Sequence, residues 1–511
     1  MCIFNVNIDN FKKIDNSSTI MKQRQNIADS LNEINIFNSK VTIMVLAYNR
    51  IEKTKQCLES ILKYTNNVDY DLLLVDNGST DDTLEYFKSI KYDKIRIIHF
   101  NKNISATFCY FFIPFEWISK YYVIVANDII VTSNWLTNLI TTAESDEHIG
   151  MVNPVSSNVS NLQEVILNFN DVKCMQSVAE KYNLTNSTLW NERLRIVTLC
   201  TLFKKECLMA IGWPYCDGGF THDFGDDDIT FRVRRAGYKA ILAKDTWIHH
   251  NHDFRNTEDK DPIEFQKSIE MGRKNFREKY FGIDAWDDVN NFIPEYLSAL
   301  KVTSKTERAR VLGIDVRCGT PILEIKNALR KFDIFDTECS AHTVDAKYTI
   351  DLQTVCGASN VFSGSINGFS ESFEQNSFDY IVIGNDINTY SDPFRILKSA
   401  YKLLRTNGQL FFSLHNTNNI FNFAYSIGLT SMRDTSHAID YTVEEILEQL
   451  MQQGYNVKFI AARGFEVGAV SQELLSNVNL CFDRLPINDR SETMYRLTSE
   501  HYYLVISREE T

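Results

Sequence analysis

Tyr121-Tyr-Val-Ile-Val-Ala-Asn-Asp128, continued by Ile129-Ile-Val131, is the stretch that decides the fold. The apolar run is short, rich in β-branched and aromatic residues, and without polar alternation. It therefore reads as a central parallel strand buried on both faces. It stops at Asn127 and Asp128. Open parallel sheets bind ligands beyond the carboxyl ends of their strands, so a polar pair at that place is a candidate site. The alternative is a buried strand whose following loop simply carries an aspartate.

The flanking segments repeat the pattern. Val41-Thr-Ile-Met-Val-Leu-Ala47 is a first strand, ending at Tyr48, Asn49 and Arg50. Cys57, Leu58, Ile61 and Leu62 then recur at helical spacing. Leu72-Leu-Leu-Val75 is a second buried strand and leads into Asp76-Asn77-Gly78-Ser79-Thr80-Asp81-Asp82, a tight turn followed by a helix start. A third strand, 95–99, leads through Asn101 and Asn103 into an apolar helix expected to reach Trp117. After the opening strand, Ser133 is expected to cap a helix over 135–142. Strands alternating with helices specify a parallel, three-layer α/β sheet, and the crossover rule places the strand ends along one edge.

Beyond residue 149 the pattern weakens. Residues 149–191 read as polar and irregular, 195–203 as a strand, and 238–243 as a strand leading to Trp247-Ile-His249-His250-Asn-His252. Between them Gly225-Asp226-Asp227-Asp228 opens a helix that stops at Ala236-Gly237. Acidic residues in a first turn can serve the helix dipole alone, or can carry chemistry.

Composition bounds the function. A chain of 511 residues needs two or three domains. A net charge of −13 argues against binding nucleic acid by bulk electrostatics. The 11 cysteines include no CxxC pair and sit largely in apolar patterns, as reduced thiols of a cytoplasmic protein would. No signal peptide and no membrane span are expected.

Taken in order, Ala47-Tyr48-Asn49-Arg50, Val75-Asp76-Asn77-Gly78-Ser79-Thr80-Asp81, Val125-Ala-Asn127-Asp128-Ile129, Trp135-Leu136, Gly225-Asp226-Asp227-Asp228-Ile-Thr-Phe-Arg232, Ala236-Gly237-Tyr238 and His249-His250 resemble the family 2 glycosyltransferases with the nucleotide-diphospho-sugar (GT-A) fold. The resemblance covers residues 41–255. It implies that Ala47, Tyr48, Asn49, Arg50, Asp76, Asn77, Asn103, Asn127 and Asp128 bind a nucleotide sugar, Asp76 and Asn77 at its base and ribose. It implies a divalent metal, Mn²⁺ or Mg²⁺, at Asp128 with help from His249 or His250, and Asp226 as catalytic base, supported by Asp227 and Asp228. The family motif at the opening strand is usually Asp-x-Asp; here Ala126 stands in place of the first carboxylate. An oxygen-ligated cation suits the dianionic leaving group, and a placed carboxylate activates an acceptor hydroxyl. No nucleophile partner is evident, so inversion follows. The family default donor is a UDP-sugar such as UDP-GlcNAc.

Residues 1–40 read as an extension, with part of 20–34 helical, and 256–305 as a charged helical connector. Residues 306–511 form a second β/α series that resembles a Rossmann-like S-adenosylmethionine-dependent methyltransferase. Its cofactor loop reads Asp315-Val-Arg317-Cys-Gly319-Thr-Pro321, where that family has Gly-x-Gly-x-Gly. Arg317 and Pro321 replace the outer glycines, which permit the tight turn and close cofactor approach, so S-adenosylmethionine is not expected to bind. A bifunctional enzyme that also methylates its product is the alternative, as is a binding protein that kept the fold. The fused arrangement is similar to bacterial transferases acting on flagellin or surface polymers. It implies Ser or Thr hydroxyls of a protein such as flagellin as acceptor, or else a polysaccharide or lipid-linked acceptor.

Overall fold

The computed structural model describes residues 2–7, a few positions between 22 and 29, and residues 39–109, 119–212, 216–217, 219–220, 224–252, 262–302, 308–430, 439–466, 468–482 and 489–509. The chain forms two compact units, Met1–Asn290 and Asn291–Thr511.

In the first unit the strands are β1 (Cys2–Val6), β2 (Val41–Ala47), β3 (Tyr70–Asp76), β4 (Ile95–Phe100), β5 (Tyr121–Ala126), β6 (Ile129–Ile130), β7 (Ile149–Ser156), β8 (Trp190–Arg193), β9 (Cys200–Lys204) and β10 (Lys239–His250). They form one sheet in the order β1-β4-β3-β2-β5-β9-β7-β10-β6, with β8 paired to β10. β2 lies between β3 and β5, parallel to both, in registers that bring Ala47 opposite Asp76 and Leu46 opposite Ala126. The carboxyl ends of three strands therefore share one edge, as the alternation of strands and helices predicts. β3 and all but one residue each of β2 and β5 are buried, because helices cover both faces and β-branched residues fill the pleat. Trp135 is wholly buried and donates its indole N–H to Thr65 Oγ1 at 3.1 Å.

Several segments differ from the sequence expectations. Residues 149–156 are not irregular: β7 is buried along its whole length between β9 and β10. Its Pro154 lies opposite Ala243, beside a shift in register that resumes at Trp247. A bulge is where a residue without an N–H fits a sheet interior. Of the strand expected over 195–203 only Cys200–Lys204 forms. β10 runs on past Ala243 to His250. The helix Trp135–Glu144 has Asn134 at its N-cap, in the left-handed region, where Ser133 was expected. The helix after Asn103 spans Ala106–Cys109, and its expected continuation to Trp117 lies outside the described residues. Most of the expected 20–34 helix does too. The N-terminal extension supplies β1, which pairs parallel to β4.

The expected connector, 256–305, is shared out differently. The helix Pro262–Lys279 belongs to the first unit. Phe276 packs edge-on against Phe231 with ring centroids 5.0 Å apart. Lys279 Nζ and Tyr280 Oη lie 2.5 Å and 2.6 Å from Asp228 Oδ1.

The second unit has β11 (Arg308–Ile314), β12 (Asp336–Thr343), β13 (Val361–Ser363), β14 (Phe378–Ile383), β15 (Leu404–His415), β16 (Asn456–Gly464) and β17 (Ser499–Ser507), in the order β13-β12-β11-β14-β15-β17-β16. Its first five strands run parallel; β17 is antiparallel to both neighbours. Thr442 and Glu445 form a reciprocal capping box at the start of the helix Val443–Gln452. The turn expected at Asn407-Gly408 is absorbed into β15, with Asn407 at φ 66.

Candidate active site

The shared edge of β2 and β5 opens into a cleft of about 530 Å³. Tyr48, Arg50, Asn77, Asn127, Asp128, Thr198, Asp226, His250 and His252 are among the residues that line it. Asp128 follows β5. β10 reaches it because its last residues, His249 and His250, pair antiparallel with Ile130 and Ile129. Asn251 N then donates to Asp128 O at 2.8 Å. His250 Nε2 and His252 Nδ1 stand 3.5 Å and 3.6 Å from the Asp128 carboxylate, and one donor atom from each of the three residues lies within 4.8 Å of the others. Arg50 Nη1 is 3.9 Å from the same carboxylate.

Burial pushes the Asp128 carboxyl up, but the hydrogen bond and charge of His250, with His252 and Lys53, outweigh it and hold the group below its ordinary value. Burial and His250 lower His252 despite Asp128. The ionised Asp128 carboxylate and the neutral His252 imidazole, the forms that metal ligation needs, are therefore favoured. One carboxylate and two imidazoles make a donor set that fits a divalent ion of borderline softness, with open positions left for a ligand.

His249, expected beside the metal, points away. Its Nδ1 lies 2.8 Å from Ser157 Oγ, and its ring packs against Phe169 and Trp247. Successive residues of a strand face opposite sides, so His249 goes with Trp247 and His250 with the cleft. His252 was missed by the sequence reading. The alternating pair His250-x-His252 was the signal that could have found it.

Asp226 begins the helix Gly225–Arg235 and accepts a hydrogen bond from Thr198 Oγ1. Thr198 is a second residue the sequence reading did not single out. Asp227 pairs with Arg195. Asp228 is fully buried, held by Lys279 and Tyr280, with its carboxyl raised by burial. Both neighbours of the expected base thus face cationic partners and serve as struts.

The remaining expected residues build the edge. Ala47 is buried in the core, and its carbonyl accepts from Asn77 N at 2.9 Å. Asn49 Oδ1 accepts from Thr80 N at 2.8 Å, tying the loop after β2 to the loop after β3. Asp76 is wholly buried; it accepts from Ser79 N at 2.9 Å and lies 2.7 Å from His99 Nδ1. Asn77 Nδ2 donates to Asn103 Oδ1 at 3.2 Å, and Asn127 Nδ2 to Thr54 Oγ1 at 2.9 Å. Of the residues expected to bind a nucleotide sugar, Tyr48, Arg50, Asn77, Asn127 and Asp128 line the cleft. Ala47, Asn49, Asp76 and Asn103 shape the turns behind it.

Residues 42–208 match the family model described as Glycosyl transferase family 2. Similar proteins include an uncharacterized glycosyltransferase of Rickettsia bellii, 34% identical over 86 residues (17% of this chain, 12% of the relative). One of Rickettsia felis is 33% identical over 86 residues (17% and 14%). The matched stretch is thus a small part of these relatives' own length. Among solved structures, the mannosyltransferase PcManGT from Pyrobaculum calidifontis, in complex with GDP-Man and Mn²⁺, is similar with a TM-score of 0.31 and 16% identity, covering 48% of this chain and 68% of that one. A SAM-dependent methyltransferase from Archaeoglobus fulgidus is similar with a TM-score of 0.28 and 16% identity, covering 45% and 97%. Both units are α/β.

The loop that follows β11 is tied into its own chain. Asp315 accepts from Val344 N and from Tyr390 Oη, each at 2.8 Å. Arg317 holds a left-handed φ of 52.

Proposed function

We propose that the first unit transfers a glycosyl group, with inversion, from a nucleoside-diphosphate sugar to an acceptor hydroxyl. The observation that carries this is the placement of Asp226 in the same cleft as Asp128, His250 and His252. Asp226 takes the acceptor's proton as the new C–O bond forms and the bond from the anomeric carbon to the diphosphate breaks. Thr198 fixes the direction of that carboxylate. A divalent ion held by Asp128, His250 and His252 supplies positive charge against the diphosphate when bound. Two imidazoles beside one carboxylate suit Mn²⁺ better than Mg²⁺, which prefers oxygen ligands throughout. Arg50 adds a permanent positive charge at the same edge. Among the described residues, the carboxylates that line the cleft are Asp128 and Asp226. With the first among the metal donors and the second as base, neither is left as a nucleophile, which favours direct displacement.

The test is turnover. The protein is incubated with a panel of UDP-, GDP-, ADP- and TDP-sugars and Mn²⁺, and release of nucleoside diphosphate is measured. Release from one donor, lost on chelation, supports the reading; no binding or turnover of any donor defeats it. We propose a protein hydroxyl, such as Ser or Thr of flagellin, as acceptor, and intact-mass analysis after incubation checks it. For the second unit we propose no methyl transfer, on the ground of Arg317 and Pro321. Equilibrium dialysis with labelled S-adenosylmethionine is expected to show no binding.

A further inference from the structure

The second unit holds a cluster that glycosyl transfer does not use. β15 ends at His415, and β17 runs antiparallel beside it with His501 directly opposite His415. Cross-strand partners share a face of the sheet, and these two rings lie with centroids 5.5 Å apart. β14, the neighbour of β15 on its other side, ends at Ile383, and the chain leaving it brings Asp386 to the same edge. Asp386 Oδ2 is 3.1 Å from His501 Nδ1. One donor atom from each of Asp386, His415 and His501 lies within 4.8 Å of the other two.

The surroundings hold these groups in place. Asn388, fully buried in the loop that carries Asp386, clamps the backbone of His415: His415 N donates to its Oδ1 at 3.0 Å, and its Nδ2 donates to His415 O at 3.1 Å. The Glu500 carboxylate stands 3.6 Å from His501 Nε2, on the side of the ring away from the nitrogen that faces Asp386. A carboxylate behind the second ring nitrogen is how proteins orient a metal-bound histidine. A simple Asp386–His501 ion pair would account for neither the buried third donor, His415, nor its amide clamp. The cluster also sits at the carboxyl edge of a parallel sheet, where such folds bind ligands.

We propose that Asp386, His415 and His501 form a binding site for a divalent transition metal of the Zn²⁺ class, separate from the glycosyl-transfer cleft. Imidazole-rich sets select such ions over Mg²⁺, and three protein donors leave a coordination position for water or a further ligand.

The test uses the full chain without a histidine tag, stripped with chelator and dialysed against Zn²⁺, with bound metal measured by atomic emission. The first-unit donors are removed by the double variant His250→Ala, His252→Ala. That protein is expected to keep one tightly bound Zn²⁺ per chain. Adding Asp386→Asn or His415→Gln is expected to weaken it by about 10- to 100-fold or more. Far-UV circular dichroism confirms folding, and His501→Gln serves if either variant unfolds. Co²⁺ in place of Zn²⁺ should give visible ligand-field bands that the second-unit variants abolish. The proposal is overturned if the double variant binds no Zn²⁺, or if its Zn²⁺ survives replacement of the second-unit donors undiminished.

Discussion

His249 and His250 are adjacent in the chain and have opposite surroundings. Burial and the neighbouring His250 lower His249 to about 4, and its ring is packed between Phe169 and Trp247. His249→Ala should therefore cost about 1 kcal/mol of stability through lost ring contacts and leave the metal response intact. His252→Ala should weaken Mn²⁺ activation about 10-fold or more, read from the metal dependence of nucleotide release. Gly78 makes a second residue-scale prediction. It holds φ +74, and a Cβ there would sit 2.2 Å from the backbone carbon of Lys102. Gly78→Ala should destabilise the domain by at least about 1 kcal/mol in urea denaturation and raise the donor KM, because it drives apart the loops that carry Asn77 and Asn103. Asp128 and Asp226 were legible because each ends or starts an element with a clear boundary. His252 was not, because its role depends on where β10 ends and which of its sides faces Asp128.

Elements were legible where local pattern and tertiary environment agree. β2, β3 and β5 announce themselves because a strand buried on both faces reads as a nearly continuous apolar run. β7 did not, since Asn153, Pro154 and Ser156 break the pattern. Asn153 is satisfied there by Thr201, and Pro154 by the neighbouring bulge. Pairing on both sides overrides propensity. The helix Pro262–Lys279 reads in sequence as part of a charged connector. Several of those charges bind back to the domain. Arg273 and Arg277 both reach Asp284, at 2.5 Å and 2.7 Å. Burial alone would raise the Asp284 carboxyl, but Arg273 and the backbone N–H groups of Asp287 and Trp286 bring it down to about 2. A depressed carboxylate contributes stability above its unfolded value, near 3.9, and loses it as pH falls through the folded one. With discount for partial exposure the contribution is about 1 kcal/mol. The urea midpoint should thus fall between pH 5 and pH 2, and Asp284→Asn should flatten that part of the profile.

At the scale of the whole chain, the two α/β units follow from two β/α series, and their boundary does not. Residues 256–290 carry few apolar residues in sequence, yet Phe276, Tyr280 and Trp286 complete the first unit: Trp286 stacks on Phe224 at 4.9 Å, next to the start of the Asp226 helix. A fragment of residues 1–290 should therefore fold and release nucleotide from the donor. A fragment ending at 255 should lose both, because it leaves Asp228 buried without Lys279 and Tyr280. Circular dichroism and turnover on the two fragments check this.

In the proposed transfer, Asp226 acts as base in the cleft where Asp128, His250 and His252 would hold the metal. This role is tested most directly by kcat/KM for release of nucleoside diphosphate from the best donor with Mn²⁺, compared between the parent and the isosteric variant Asp226→Asn. A fall of about 10²- to 10⁴-fold is expected for Asp226→Asn, with the folded state and donor binding retained. The role is contradicted if Asp226→Asn turns the donor over at the parental rate.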